Sequence, residues 1–183
     1  MYTYYYLLLY REEVVEHGMT MDACLAELRK YLTPNAVIIG QNIAKDIEWL
    51  GLDQGTDYDM LIDLTALFRV WNVQRNSWTM FSQDHIAKVY LNVQDRPNHD
   101  ALDDALLSIS LFNCYRNIQY NTEYLQHMQM LCMNTPITPS YAARNGAIED
   151  CCLGHRKKCT CGDAFHLIIY LLDLCVNMIV SIL

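Results

Sequence analysis

Hydrophobic residues recur along the first two thirds of the chain in blocks whose spacing alternates between helical and strand-like. In "MTMDACLAELRKYLT" they lie at helical spacing behind Thr20, a residue type that favours the helix N-cap. Further helices are predicted over "IAKDIEWLGL", ended by Gly51, over the segment after Ser82, and over residues 101–120. The β-branched runs "AVIIG" (36–40) and "MLIDL" (60–64) predict buried strands. This order predicts an α/β fold with a helix-covered sheet.

The last of these helices, over residues 101–120, is the longest. Its helical spacing predicts one core-facing stripe, made of Leu102, Ala105, Leu106, Ile109, Phe112 and Asn113. From Pro136 onward the regular pattern is lost.

The two ends of the chain differ in character from the middle. "MYTYYYLLLY" is too short for a signal sequence and is interpreted as a strand or a foreign extension. Residues 166–183 are strongly apolar and leave three interpretations: sequence foreign to the domain, which is favoured, a buried core helix, or a weak membrane span. The predicted division is an N-terminal extension (1–20), a partial catalytic-type domain (21–125), a Cys/His-rich tail (126–165) and a hydrophobic C-terminal segment (166–183).

Acidic residues outnumber basic ones by 21 to 13, which gives a net charge of −8. This balance argues against a protein that grips nucleic acid by broad electrostatic attraction alone. It does not exclude a nuclease, because a carboxylate site is acidic until a divalent metal binds. No signal-peptide pattern is present, so the four scattered cysteines are expected to be reduced thiols (Cys24, Cys114, Cys132 and Cys175). The expected location is intracellular, nuclear or cytoplasmic, without membrane attachment or secretion.

Two aspartates follow predicted strands or begin predicted helices. Asp46 lies one turn into the helix after "VIIGQN", and Asp104 lies one turn into the helix after "RPNH". Groups at the carboxyl ends of parallel strands converge on one crevice, where two carboxylates can share Mg²⁺. His99 on the preceding loop could accept a proton from water. The alternative is structural, because an aspartate in a first helical turn also interacts favourably with the helix dipole.

Three segments carry a resemblance to a known family. "VIIGQNIAKDIEWLGL", "FSQDHIAKVYLN" and "NHDALDDALLS" resemble the second and third motifs of DEDD-type 3′–5′ exonucleases. The branch is the one with a His-x-Ala-x-x-Asp motif, matched here by His99, Ala101 and Asp104. The resemblance covers about residues 21–115.

This resemblance implies a ribonuclease-H-like mixed sheet flanked by helices and a two-metal mechanism with Mg²⁺ or Mn²⁺. It makes Asp46 and Asp104 metal ligands, His99 the general base and Asn42 a substrate-binding residue. The implied partner is nucleic acid, with single-stranded RNA 3′ ends as the expected substrate.

The chain departs from the family at the first motif, an Asp-x-Glu pair on the opening strand. The nearest acids are Glu12, Glu13 and Glu16, and none forms such a pair. Two of four acidic ligands are therefore absent, and the fold is expected to be truncated at its N-terminal strands. The "AVIIG" strand would expose a sheet edge unless "YYYLLLY" covers it. The sequence thus predicts an exonuclease domain with little activity or, alternatively, a non-catalytic interaction or zinc-binding module.

A second cluster of possible ligands lies in "CCLGHRKKCTCG". Cys152, His155, Cys159 and Cys161 are soft ligands of the types that zinc prefers, so they form a candidate structural zinc site. The alternative is a set of reduced surface thiols on a loose tail.

Overall fold

The centre of the fold is a short sheet with helices packed around it, described here from a computed structural model. Described are residues 19–94, 96, 101–139, 147–148, 151–152 and 180–181. The helices are α1 (Met21–Leu28), α2 (Ala44–Leu50), α3 (Leu64–Phe68), α4 (Gln83–Tyr90), α5 (Ala101–Ile118) and α6 (Thr122–Asn134). The strands are β1 (Val37–Gly40), β2 (Met60–Asp63), β3 (Val70–Asn72), β4 (Ser77–Thr79), β5 (Ala147–Ile148), β6 (Cys151–Cys152) and β7 (Val180–Ser181).

Strand β1 is the middle strand of the sheet, with β2 on one side and β7 on the other. It runs parallel to β2 in a register that pairs Val37 with Met60 and Gly40 with Asp63. Helix α2 makes the connection between these two strands. A parallel pair joined by a helix is the basic unit of an α/β fold, so this part of the sequence-based prediction is confirmed.

The two faces of β1 are buried in two different hydrophobic cores. Ile38 is fully buried in one core together with Ile47 and Leu50 of α2, and α1 packs against this core with partly buried side chains. Ile39 points to the opposite face and is buried in the second core with Leu64, Phe68 and Leu111. Adjacent residues of a strand face opposite ways, so one short strand joins both cores.

Helix starts follow the capping residues that the sequence predicts. The Thr20 side chain accepts a hydrogen bond from the Ala23 N–H at the start of α1. The Ser82 side chain does the same for the His85 N–H at the start of α4. Gly51 ends α2 in a left-handed conformation, with φ of 57°. These local signals are therefore confirmed.

The predicted core stripe of α5 is wrong in its phase. Leu102 and Leu106 are 41% and 52% exposed, and Asn113 is also exposed. The residues of α5 that are fully buried are Ala105, Ser108 and Leu111. Of the predicted stripe, only Ala105 is fully buried. Ile109 and Phe112 are partly buried and pack against the second core. The helix has apolar residues on several sides, and its burial is set by contacts with β1, α4 and α6.

Helix α6 was not predicted, and it crosses the position where the sequence-based division places a domain boundary. It runs from Thr122 to Asn134 and buries Met128 and Cys132. Cys132 belongs to the second core, so the packed structure continues past residue 125. Cys132 and Cys114 are free thiols, as expected, whereas Cys24 is disulfide-bonded, contrary to the expectation.

The outer edge of β1 is covered by the far end of the sequence. Strand β7 runs antiparallel to β1, with Val37 opposite Ser181 and Ile38 opposite Val180. The prediction that this edge would be exposed unless "YYYLLLY" covered it did not include this strand. Val180–Ser181 forms a strand, so at these two residues the interpretations of the C-terminal segment as a core helix or a membrane span are wrong. The segment "YYYLLLY" lies outside the described residues.

The fold class that follows is mixed α/β, with helices and small sheets. The sheet combines one parallel and one antiparallel pair, as the predicted mixed sheet requires. In the described part of the chain, no helix is long and apolar enough to cross a bilayer.

The difference between the predicted and observed faces of α5 can be tested by two leucine substitutions. Leu111→Ala should lower the free energy of unfolding by about 2–5 kcal/mol, because it removes a fully buried side chain that packs beside β1. Leu106→Ala should change it by less than about 0.5 kcal/mol, because Leu106 is half exposed. Urea unfolding of both variants measures the two values. A larger loss for Leu106→Ala than for Leu111→Ala would support the predicted stripe over the observed one.

Candidate functional site

The turn after β1 is shaped by Gly40 and Asn42. A Cβ atom on Gly40 would lie 2.8 Å from Cδ1 and 3.3 Å from Cβ of Ile43, so a larger residue would have to displace this buried side chain. Asn42 adopts a left-handed conformation with φ of 56°, which asparagine tolerates better than most residues. Its backbone N–H donates to Asp63 Oδ1 at 3.0 Å, and the same oxygen accepts from the Thr65 N–H. Asp63 thus both fixes the turn and caps the start of α3.

Asp46 lies in the first turn of α2, just beyond this turn. Its side chain is half-buried. Burial raises the pKa of Asp46, and a hydrogen bond from its own backbone N–H offsets this rise only in part. A carboxylate whose charged form is disfavoured by burial would gain from a nearby cation. Its position therefore fits the predicted ligand, although it also fits a residue near a positive helix end.

Asp104 lies in the first turn of α5 and is held by Arg96. Nη1 of Arg96 is in ion-pair contact with Asp104 Oδ1 at 2.5 Å, without the alignment of a regular hydrogen bond. Nε and Nη2 of Arg96 donate to Asp84 Oδ1 at 3.0 and 2.6 Å. All three side chains are mostly buried, with exposed fractions of 16–22%. Burial lowers the pKa of Arg96, but the two carboxylates outweigh it and raise the pKa overall.

A series of hydrogen bonds ties the first turn of α5 to the end of β1. The Gln41 side chain, one residue past β1, donates to the Phe81 carbonyl at 2.9 Å. The Gln83 side chain, two residues after Phe81, donates to the Asp104 carbonyl at 2.8 Å and to the Ser108 hydroxyl at 2.7 Å. Residues 81–83 therefore contact both the residue after β1 and the first turn of α5.

The structure therefore describes three of the predicted site residues: Asn42, Asp46 and Asp104. His99 lies outside the described residues, as do the zinc candidates His155, Cys159 and Cys161. Cys152 lies in β6, paired with Ala147. Within the described part of the chain, no group of three or more His, Cys, Asp or Glu side chains is placed to hold a metal ion. Both metal sites remain predictions.

Sequence reasoning missed Arg96 and Asp84. Arg96 lies in the loop that precedes the predicted helix over residues 101–120, and Asp84 lies within the motif segment "FSQDHIAKVYLN". Their pairing joins residues twelve positions apart. No helical or strand spacing signals such a contact. The one usable signal is that an arginine directly precedes the Pro-Asn-His stretch beside a helix start rich in acids.

A cavity of about 500 Å³ lies elsewhere, between β2, α3 and the second half of α5. Its lining is mostly apolar, with Asp63 and Arg116 among the polar members. Neither Asp46 nor Asp104 lines it, so this cavity is distinct from the predicted metal site.

Comparison with known proteins finds no match at a significant level, neither to a protein-family profile, nor to a curated protein, nor to a solved structure. The mixed α/β class rests on the strand pairing described above, and the exonuclease hypothesis rests only on the resemblance of three sequence segments.

The burial of Asp46 predicts a defined pH dependence. Because the pKa is higher in the folded state, that state binds a proton more readily than the unfolded chain does. Protonated Asp46 therefore contributes its full stabilisation at low pH, and this contribution is lost as the pH rises through the folded-state pKa of Asp46. Asp46→Asn removes this loss, so the melting temperature of this variant should rise relative to that of the wild type as the pH increases through the raised pKa of Asp46.

The control for this experiment is Glu48→Gln, which removes an exposed carboxylate from the same helix. Its melting temperature should follow the wild type more closely over the same range. If the melting temperature of Asp46→Asn instead falls relative to that of the wild type as the pH rises, the folded protein stabilises the charged carboxylate.

Proposed function

We propose that the chain is a nucleic-acid-processing domain of the 3′–5′ exonuclease type, with a ribonuclease-H-like fold. The observation that carries the proposal is the placement of Asp46 and Asp104. Each carboxylate lies in the first turn of its helix, and residues 81–83 link the second helix to the strand that leads into the first. The substrate class proposed is single-stranded RNA with a free 3′ end.

The donors fit a hard divalent cation in kind. Carboxylate oxygens are the ligands that Mg²⁺ and Mn²⁺ take from proteins, together with phosphate oxygens of the substrate. When bound, such an ion lowers the pKa of water and stabilises negative charge on phosphate oxygens. Asp46 would hold the ion and Asp104 would complete the pair, while Asn42 would contact the substrate. His99 is the proposed general base.

The number of donors limits the proposed activity. Two described carboxylates are fewer than a site for two metal ions requires, and Arg96 already occupies one of them. We therefore expect weak metal binding and slow hydrolysis.

The alternative is a non-catalytic module that keeps the fold and binds a partner without chemistry. The Arg96 bridge favours it, because a guanidinium group compensates the charge that a metal ion would otherwise neutralise. Zinc binding by the Cys152, His155, Cys159 and Cys161 cluster belongs to this alternative. The two functions are separated by whether Asp104 binds a metal ion.

Metal binding can be measured directly by the paramagnetic resonance signal of free Mn²⁺ in a titration of the protein. We expect a dissociation constant on the order of 1 mM, as for sites with few charged ligands. Asp46→Asn and Asp104→Asn should each weaken binding by about tenfold, because each removes one of two carboxylates. Any Mn²⁺-dependent shortening of a 5′-labelled RNA should start at its 3′ end and be lost in both variants.

Glu48→Gln is the matched control for this titration and should bind Mn²⁺ as the wild type does. Mn²⁺ binding that survives both aspartate substitutions, or no binding up to about 10 mM, would contradict the proposed site.

Arg96→Gln provides a second test of the same site. The substitution leaves Asp84 and Asp104 partly buried without their shared counterion, which should destabilise the protein by about 1–3 kcal/mol. It should also tighten Mn²⁺ binding by about 2- to 5-fold, because the ion no longer competes with the guanidinium group. Mn²⁺ should therefore raise the melting temperature of this variant more than that of the wild type.

The control here is Arg116→Gln, an exposed arginine near the other end of α5. It removes the same charge without touching Asp104. An Arg96→Gln protein that Mn²⁺ does not stabilise would show that Asp104 serves only as a structural partner of Arg96.

A further inference from the structure

The antiparallel hairpin formed by β3 and β4 presents two tryptophans to solvent. Trp71 and Trp78 are direct cross-strand partners, so their side chains lie on the same face of the hairpin. Their rings meet edge to face, with centroids 5.3 Å apart. They are 44% and 46% exposed, a large aromatic surface to leave in water. We call residues 69–80 the tryptophan hairpin.

Two arginines flank these rings. The guanidinium group of Arg69 lies over the Trp78 ring, 4.3 Å from its centroid. Arg75 lies exposed in the hairpin turn, where its backbone N–H donates to the Asn72 side chain. Within the described part of the chain, neither arginine has a carboxylate partner. By contrast, Arg29 and Arg96 are each paired with aspartate.

The segment of sequence that contains the hairpin carries a charge opposite to that of the whole chain. Residues 64–82 contain two arginines and no aspartate or glutamate, although the chain carries a net charge of −8. An aromatic surface with unpaired arginines attracts a ligand that offers both flat rings and negative charge. A purely apolar protein surface would satisfy Val73 and Met80 but would leave both guanidinium groups without a counter-charge.

The hairpin also leads directly to the predicted metal site. Phe81 directly follows the hairpin, and its carbonyl accepts the hydrogen bond from Gln41, the residue before Asn42. A strand of nucleic acid stacked on the hairpin would therefore be anchored close to the end of β1.

We propose that the tryptophan hairpin binds single-stranded nucleic acid, with bases stacked on Trp71 and Trp78 and phosphates contacted by Arg69 and Arg75. Stacking on aromatic rings and guanidinium planes tolerates any base, so binding is not sequence-specific. The hairpin is thus the substrate-holding surface of the domain. This inference rests on the proposed function for its ligand class.

Fluorescence anisotropy tests the proposal with a 5′-fluorescein-labelled 12-nucleotide oligouridylate in EDTA, which removes any need for the metal site. Trp71→Ala and Trp78→Ala should each weaken binding by about 5- to 100-fold, the usual contribution of one stacked base. Arg75→Gln should make the plot of log affinity against log salt concentration less steep, by the amount expected for the loss of about one phosphate contact. Tyr120→Ala, which removes an aromatic ring that is 89% exposed, is the matched control and should bind normally.

A second readout does not depend on affinity. Oligouridylate should quench the protein's tryptophan fluorescence, and the quenching should disappear in the double variant Trp71→Ala/Trp78→Ala, although Trp49 remains. Far-ultraviolet circular dichroism checks that each variant is folded, and Arg75→Gln covers the case in which a tryptophan variant unfolds.

Unchanged affinity in folded tryptophan variants would overturn the proposal. So would loss of self-association in these variants, measured by sedimentation with RNA affinity retained, because the hairpin would then be a protein contact. The assay contains EDTA, so its outcome does not depend on metal binding at Asp46 and Asp104. Failure of the metal site therefore leaves the hairpin result intact, and the two proposals can fail separately.

Discussion

The whole structure depends on burying one four-residue strand on both faces. Ile38 and Ile39 point into separate cores, so helices on either side of the sheet are fixed relative to the same short backbone segment. Such a strand must be almost wholly apolar, and it must pair on both edges because its peptide groups have no access to water. Every feature at the carboxyl end of β1 takes its position from this constraint.

The candidate site combines carboxylates that favour a bound cation with an arginine that can take the place of that cation. Asp46 is partly buried, which raises its pKa, whereas Asp104 shares Arg96 with Asp84. An internal arginine keeps an acidic pair compact without metal, but it also raises the threshold for metal to bind. If the proposed function holds, Arg96 would keep the domain in a metal-poor state, and the tryptophan hairpin would be its main proposed contact with nucleic acid.

Local features were predictable from the sequence, and contacts between distant segments were not. Thr20, Ser82 and Gly51 act within one helical turn, so their side chains or backbone preferences identify helix ends without knowledge of the fold. Leu106 was assigned to the core because α5 is apolar on several sides, and only its neighbours decide which side is buried. The Arg96 bridge and the Trp71–Trp78 pair depend on tertiary and hairpin geometry that no periodicity encodes.

The antiparallel partner of β1 has a consequence for how the chain folds. Strands β1 and β2 are close in sequence and can pair early, whereas Ile38 and Val180 are separated by most of the chain. Closing so large a loop is slow, so during synthesis β1 would present an unpaired edge until β7 leaves the ribosome. An exposed apolar edge is a template for pairing with other chains, so the nascent domain is open to aggregation at β1 until β7 has paired with it.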